Sequence, residues 1–157
     1  MPIGHQDVDI SVQGRFQGAD QPLSGVKVYL FTPTQSYLGQ VEETAADGTV
    51  RFSLPGQDYM VRADHMGRQY WSRTFNQQNT SVAIPMADVQ VTVTGAGLPR
   101  EDLNVYLFSE SDAYLGINAK TDVNGQVGFR LPSGSYKFRA DYQGNQFWSG
   151  DIALYAD

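Results

Sequence analysis

His5 and His65 are the only imidazoles in the chain, and there is no cysteine. General acid–base catalysis and zinc ligation both need several such groups converging at fixed spacings. Neither histidine has a partner at such a spacing: His5 stands near the start of the chain and His65 in a turn. The chain is therefore read as non-catalytic. Asp122-Val-Asn124-Gly125 looks like the opening of a calcium loop, but the bidentate glutamate that completes such a loop is missing. The same Asn-Gly pair suits a hairpin turn that needs positive φ, and the turn is the preferred reading. Asp122 and Asn124 stand as weak calcium candidates, and no other cofactor is expected.

Bulk properties narrow the partners further. A formal net charge of −6 on 157 residues, with no Lys/Arg run, argues against nucleic acid and anionic membrane. No apolar run approaches the ~20 residues of a membrane span. The opening Met1-Pro-Ile-Gly-His-Gln-Asp has neither the charged nor the apolar region of a signal peptide.

Elements that could position any site come in two copies. Val105 to Ser149 lies without a gap on Val28 to Ser72 at an offset of 77, and 21 of the 45 paired residues are identical. A long-period repeat means tandem modules, and the boundary falls between 1–85 and 86–157. Only Pro85-Met-Ala-Asp88 separates them, a junction short enough to restrict their relative orientation.

Each copy alternates apolar and polar residues in short runs broken by Gly, Pro, Asn and Asp, the all-β pattern. In the first, Val8, Ile10 and Val12 open the series. Val26, Val28 and Leu30 follow, with Tyr29 and Phe31 on the opposite face. Val50, Phe52 and Leu54 come next, then Tyr59, Val61 and Ala63, with Arg62 and Asp64 facing away. On the sixth strand Trp71 shares the parity of Gln69, and Tyr70 takes the other. Ser81–Ile84 forms a seventh strand. The second copy is shorter after its Trp148-Ser149: it either closes with a short irregular segment around Ile152 and Leu154 or lacks its last strand. An unpaired sheet edge is a template for another chain.

Gly25-Val-Lys-Val-Tyr-Leu30 and the phrase Thr121-Asp-Val-Asn-Gly-Gln-Val-Gly-Phe-Arg-Leu-Pro-Ser-Gly-Ser-Tyr136 resemble the transthyretin-like (prealbumin-like) β-sandwich modules of the carboxypeptidase regulatory-like and Cna-B types. The resemblance implies two tandem Ig-like/transthyretin-like antiparallel sandwiches of about seven strands each. It also implies a structural, spacer or adhesion role in a bacterial extracellular or cell-surface protein with many tandem copies. Many such modules carry a Lys–Asn isopeptide bond from a first-strand lysine. Lys27, Lys120 and Lys137 all lie elsewhere, so no such bond is expected.

That fold would lay the second, fifth and sixth strands side by side in one sheet. Tyr29, Arg62 and Tyr70 would then gather on its outer face, as would Tyr106, Arg139 and Phe147 in the second copy. A guanidinium among rings gains cation–π stacking. Such a set either stiffens the sheet or forms a platform for a glycan or protein ligand. The function expected is a structural or spacer repeat, whose partners are other modules of the same polypeptide. One alternative is a ligand-binding accessory module. Another is a self-assembling subunit completed by strand donation, with Val8–Val12 of another copy as a donor.

Overall fold

The computed structural model describes residues 4–155. The chain divides into two compact units, Met1–Pro85 and Met86–Asp157. Each is a β-sandwich, and the described residues contain no α-helix.

The first unit contains β1 (His5–Phe16), β2 (Ala19–Pro22), β3 (Lys27–Phe31), β4 (Tyr37–Glu43), β5 (Thr49–Pro55), β6 (Met60–His65), β7 (Arg68–Trp71) and the start of β8 (Thr80–Thr92). One sheet is centred on β1, which pairs with β5 (Ile10 opposite Val50), β2 and β8; the other runs β4-β3-β6-β7. The period-two apolar pattern becomes the core, because successive strand residues point to opposite faces. Val8, Ile10, Val12, Val28, Leu30, Val61 and Ala63 are all fully buried. Each large aliphatic side chain among them contributes roughly 1.5–3 kcal/mol of burial.

One ladder departs from the antiparallel expectation. Residues 80–85 of β8 lie parallel to β1, with Val12 opposite Val82 and Gly14 opposite Ile84. Parallel neighbours need a crossover rather than a hairpin. Here the chain runs through the whole second sheet before it returns to the free edge of β1.

The second unit takes residues 86–92 of β8 as its first strand, followed by β9 (Thr94–Gly95), β10 (Leu98–Pro99), β11 (Asn104–Ser109), β12 (Tyr114–Lys120), β13 (Gln126–Pro132), β14 (Gly134–Tyr142), β15 (Asn145–Trp148) and β16 (Ile152–Leu154). Val89 faces Phe129 across the β8–β13 ladder. The other sheet runs β12-β11-β14-β15, and β16 adds to β14 with Ile152 opposite Tyr136. In the first unit the same place is a single bridge, Tyr59 to Phe75. The segment around Ile152 and Leu154 is therefore a strand of this second sheet. Among the described residues, nothing in the second unit takes the place that Thr80–Pro85 takes in the first.

Shared polar residues fasten both sandwiches in the same way. The buried Thr44 hydroxyl accepts from Val26 N at 2.9 Å and donates to Leu23 O at 2.7 Å. Thr121 does the same for Leu103 N (3.0 Å) and Arg100 O (2.6 Å). Gly48 and Gly125 sit at φ +78° and +72°, where a Cβ would come within 2.8 Å of Val12 O and 2.6 Å of Val93 O. Only glycine fits there, since it alone takes positive φ freely and brings no side chain.

Candidate functional site

Both units carry an arginine held among aromatic rings on the exposed face of one sheet, β4-β3-β6-β7 in the first and β12-β11-β14-β15 with β16 in the second. In the first, Arg62 on β6 lies opposite Tyr29 on β3 and opposite Trp71 on β7. Its guanidinium carbon is 5.0 Å from the Tyr29 ring centre, 5.1 Å from Phe31 and 5.9 Å from Trp71. Two parallel hydrogen bonds to Asp64, at 2.7 and 3.0 Å, fix the plane of the guanidinium. Tyr37 on β4 closes the cluster edge-on, 5.8 Å from Tyr29 and 5.4 Å from Phe31.

The second unit repeats this almost atom for atom. Arg139 lies 4.8 Å from Tyr106, 5.2 Å from Phe108 and 5.7 Å from Trp148. It donates to Asp141 at 2.8 and 3.1 Å, and Tyr114 packs 5.9 Å from Tyr106 and 5.4 Å from Phe108. In both, the arginine side chain is about four-fifths buried, at 20% and 19% exposure.

The structure thus brings together four of the six residues expected from sequence: Tyr29 with Arg62, and Tyr106 with Arg139. It does not bring in Tyr70 or Phe147. Tyr70 pairs with Ala63 and Phe147 with Ala140, so both belong to the inward parity of the sheet. The cause is the turn. Met66 (φ 54°) and Gly67 (φ 74°) make a two-residue hairpin, as do Gln143 (φ 49°) and Gly144 (φ 77°). His65 is thereby set opposite Arg68, and Tyr142 opposite Asn145. Counting outward from such a turn gives Trp71 for Arg62 and Trp148 for Arg139, a register the sequence contains. Tyr37 and Tyr114 were not foreseen on this face because a register shift interrupts the β3–β4 and β11–β12 ladders just before them.

Around these matching centres the rims differ. Where the second unit has Lys137, Asp112, Asn118 and Lys120, the first has Met60, Gln35, Val41 and Glu43. Lys137 donates to Asp112 at 2.8 Å, and that carboxylate holds its ammonium above the ordinary lysine value. An open depression of about 500 Å³, lined by Phe108, Asp112, Lys137, Trp148 and Ser149, results beside the second cluster. In the first unit a depression of about 220 Å³ opens at different positions of the sheet, lined by Lys27, Tyr29, Val41, Glu42 and Glu43.

The remaining candidates fall elsewhere. His5 begins β1 opposite Pro55 and His65 ends β6, on different sheets. Burial pushes the His65 imidazole below its ordinary value. Asp122 Oδ1 accepts from Asn124 N at 2.8 Å and Gln126 N at 3.0 Å, which is the geometry of a turn cap. Among the described residues no three acidic or imidazole side chains come together. Of the lysines, Lys27 is on β3, Lys120 ends β12 and Lys137 is on β14.

No protein-family model and no curated protein sequence matches the chain. Among solved structures it is similar to the TIE protein of Bacillus anthracis (15% identity, 98% of this chain and 32% of that chain, TM-score 0.40). It is also similar to the minor pilin of Streptococcus agalactiae (14% identity, 97% of this chain and 90% of that chain, TM-score 0.45). A third likeness is to the shaft pilin SpaA of Lactobacillus rhamnosus GG (14% identity, 98% of this chain and 94% of that chain, TM-score 0.43). The chain spans about a third of the length of the TIE protein.

Proposed function

We propose that the chain is a structural, non-catalytic spacer carrying two repeats of a secreted or cell-surface protein, and that its paired arginine clusters are internal clamps. The observation that carries this reading is the contrast between centre and rim. Guanidinium, carboxylate and rings recur at matching distances in both units, while the rim positions Met60/Lys137, Gln35/Asp112, Val41/Asn118 and Glu43/Lys120 differ in charge or polarity. Each arginine already commits its Nε–Nη2 edge to Asp64 or Asp141, and that pairing orients the guanidinium over the rings. A clamp of this kind ties three neighbouring strands through side chains on a solvent-facing sheet.

One observation favours a second reading, an accessory module that binds glycan or protein: Tyr37, Tyr114 and Trp148 are nearly half exposed, at 49%, 47% and 46%. Glycan and extracellular-matrix protein arrays probed with the native chain and with the Tyr37→Ser/Tyr114→Ser variant separate the two. The spacer reading expects no saturable binding by the native chain. Saturable binding abolished by the double substitution, with an unchanged melting temperature, would replace the spacer by the ligand-binding module.

A further inference from the structure

The first unit is closed by β8, whose Val82 and Ile84 are 4% and 0% exposed. They enter between the sheets at the free edge of β1, in parallel register with Val12 and Gly14. The second unit has the same edge. Thr92 faces Gln126 as Ser11 faces Thr49, so Val91 and Val93 are the counterparts of Ile10 and Val12. Val93 N donates to Gly125 O at 2.7 Å, as Val12 N donates to Gly48 O at 2.8 Å. That pairing leaves the opposite edge of residues 91–95 without a ladder among the described residues.

Burial records the difference. Ile10 and Val12 are fully buried, but Val91 and Val93 are only half-buried. Ala63 is at 0% and Ala140 at 9%; Tyr70 is half-buried while Phe147 is 56% exposed. Two adjoining depressions of about 350 and 250 Å³ open along this edge, and both are lined by Val93, Thr94, Ala140 and Phe147. The first of them is chiefly apolar, walled also by Leu103 and Tyr142, and bordered by Arg100, whose guanidinium lies over the Tyr142 ring and donates to Gly95 O at 2.8 Å. A groove with a free backbone edge and an apolar floor takes an extended strand, whose main chain completes the ladder while alternate side chains fill the floor.

We propose that this groove is the seat of a strand laid parallel to residues 91–95, with β-branched apolar residues two apart entering where Val82 and Ile84 enter the first unit. The strand is supplied by the same polypeptide, because the one seated strand the molecule displays has that source: Thr80–Pro85 follows the Tyr59–Phe75 bridge and belongs to the first unit itself. Thr80–Pro85 is the leading half of β8, whose remaining residues open the next unit. The groove floor at Ala140 and Phe147 lies on the opposite face of the sheet from the Arg139 guanidinium, so the proposal does not rest on the clamps being structural; Trp148 borders the second depression and can report on it.

Two extended chains test it, each with five residues appended after Asp157, the position that the 77-residue offset equates with Thr80. One adds Ser-Val-Ala-Ile-Pro, the sequence of residues 81–85; the other adds Ser-Asp-Ala-Asp-Pro. With Trp71→Phe in both, Trp148 alone reports on the second unit. The apolar extension should shift Trp148 emission to the blue and raise the melting temperature of the second unit by roughly 5 °C or more over the aspartate extension. It should also remain monomeric by light scattering across a hundredfold range of concentration. Equal melting temperatures for the two extensions would overturn the groove. If the native chain instead forms dimers that Val93→Asp dissociates, the occupant is a second copy and the proposed source is wrong.

Discussion

Replacing Arg62 by methionine tests whether the aromatic cluster holds the sheet together. Methionine keeps most of the aliphatic packing of the arginine stem and removes the charge. The guanidinium lies within 6 Å of three ring centres. Cation–π contacts are worth about 0.5–1 kcal/mol when exposed and ~2 kcal/mol when desolvated. At one-fifth exposure, a total of about 1–2 kcal/mol is appropriate for contacts that share one cation. The Asp64 pair adds under ~1 kcal/mol, because the carboxylate is one-third exposed and screened. The loss is then about 2 kcal/mol, or a fall of roughly 8–16 °C for a unit of this size. Tryptophan fluorescence reads it directly, since each unit holds one tryptophan and both sit in the clusters. Trp148→Phe leaves Trp71 as the sole reporter of the first unit, and Trp71→Phe serves Arg139→Met in the second. Asp64→Asn should cost less than half as much as Arg62→Met. A fall below ~2 °C for Arg62→Met, with near-ultraviolet dichroism unchanged, would refute the clamp and leave the guanidinium a surface decoration.

Gly125→Ala should destabilise the second unit more than a generic turn substitution, because positive φ alone costs about 1–3 kcal/mol and the new Cβ meets Val93 O at 2.6 Å. A loss under ~1 kcal/mol in urea unfolding would show that the hairpin simply relaxes. Thr121→Val conserves shape but leaves Leu103 N and Arg100 O without their partner; two orphaned groups at ~1–3 kcal/mol each predict a loss of about 2–4 kcal/mol, and a neutral result would mean water replaces the hydroxyl. His65 gives a pH dependence. Its folded value lies below the ordinary 6.5 because of burial, so the unfolded chain takes the proton first. Stability from this group is therefore complete above about pH 6.5 and declines as pH falls below it, until the folded imidazole is protonated too. The urea midpoint of the first unit should drop between pH 7.5 and 5.5, and His65→Tyr, the residue of the second copy, should flatten that drop.

Alternation made the sandwich legible in the sequence. Val8, Ile10 and Val12, or Tyr136, Phe138 and Ala140, can face only one way in a strand, and the turn residues mark where each run stops. The candidate site was half legible. Arg62 and Tyr29 follow from parity along one strand, but placing Tyr70 beside them required a register across a turn, and a one-residue error there moves every side chain to the other face. Counting Met66-Gly67 as the whole loop would have selected Trp71. Tyr37 lay beyond such counting, because a bulged ladder breaks the period on which counting depends. The latching role of Thr44 and Thr121 was not legible, since nothing in a threonine's neighbours announces that its hydroxyl will be buried between two backbone groups.

The parallel ladder of the first unit has a consequence for how that unit comes into being. Residues 10–15 wait for partners about seventy positions downstream, and a chain emerging at ~5–20 residues per second needs several seconds to deliver them. Pairings this distant in sequence are also the slow ones to form. For that interval Ile10 and Val12 have an open flank beside a strand edge, the condition in which a nascent chain is most exposed to its neighbours on the same ribosome track. Val82 and Ile84 thus set the moment at which the first unit stops being a hazard to its own synthesis.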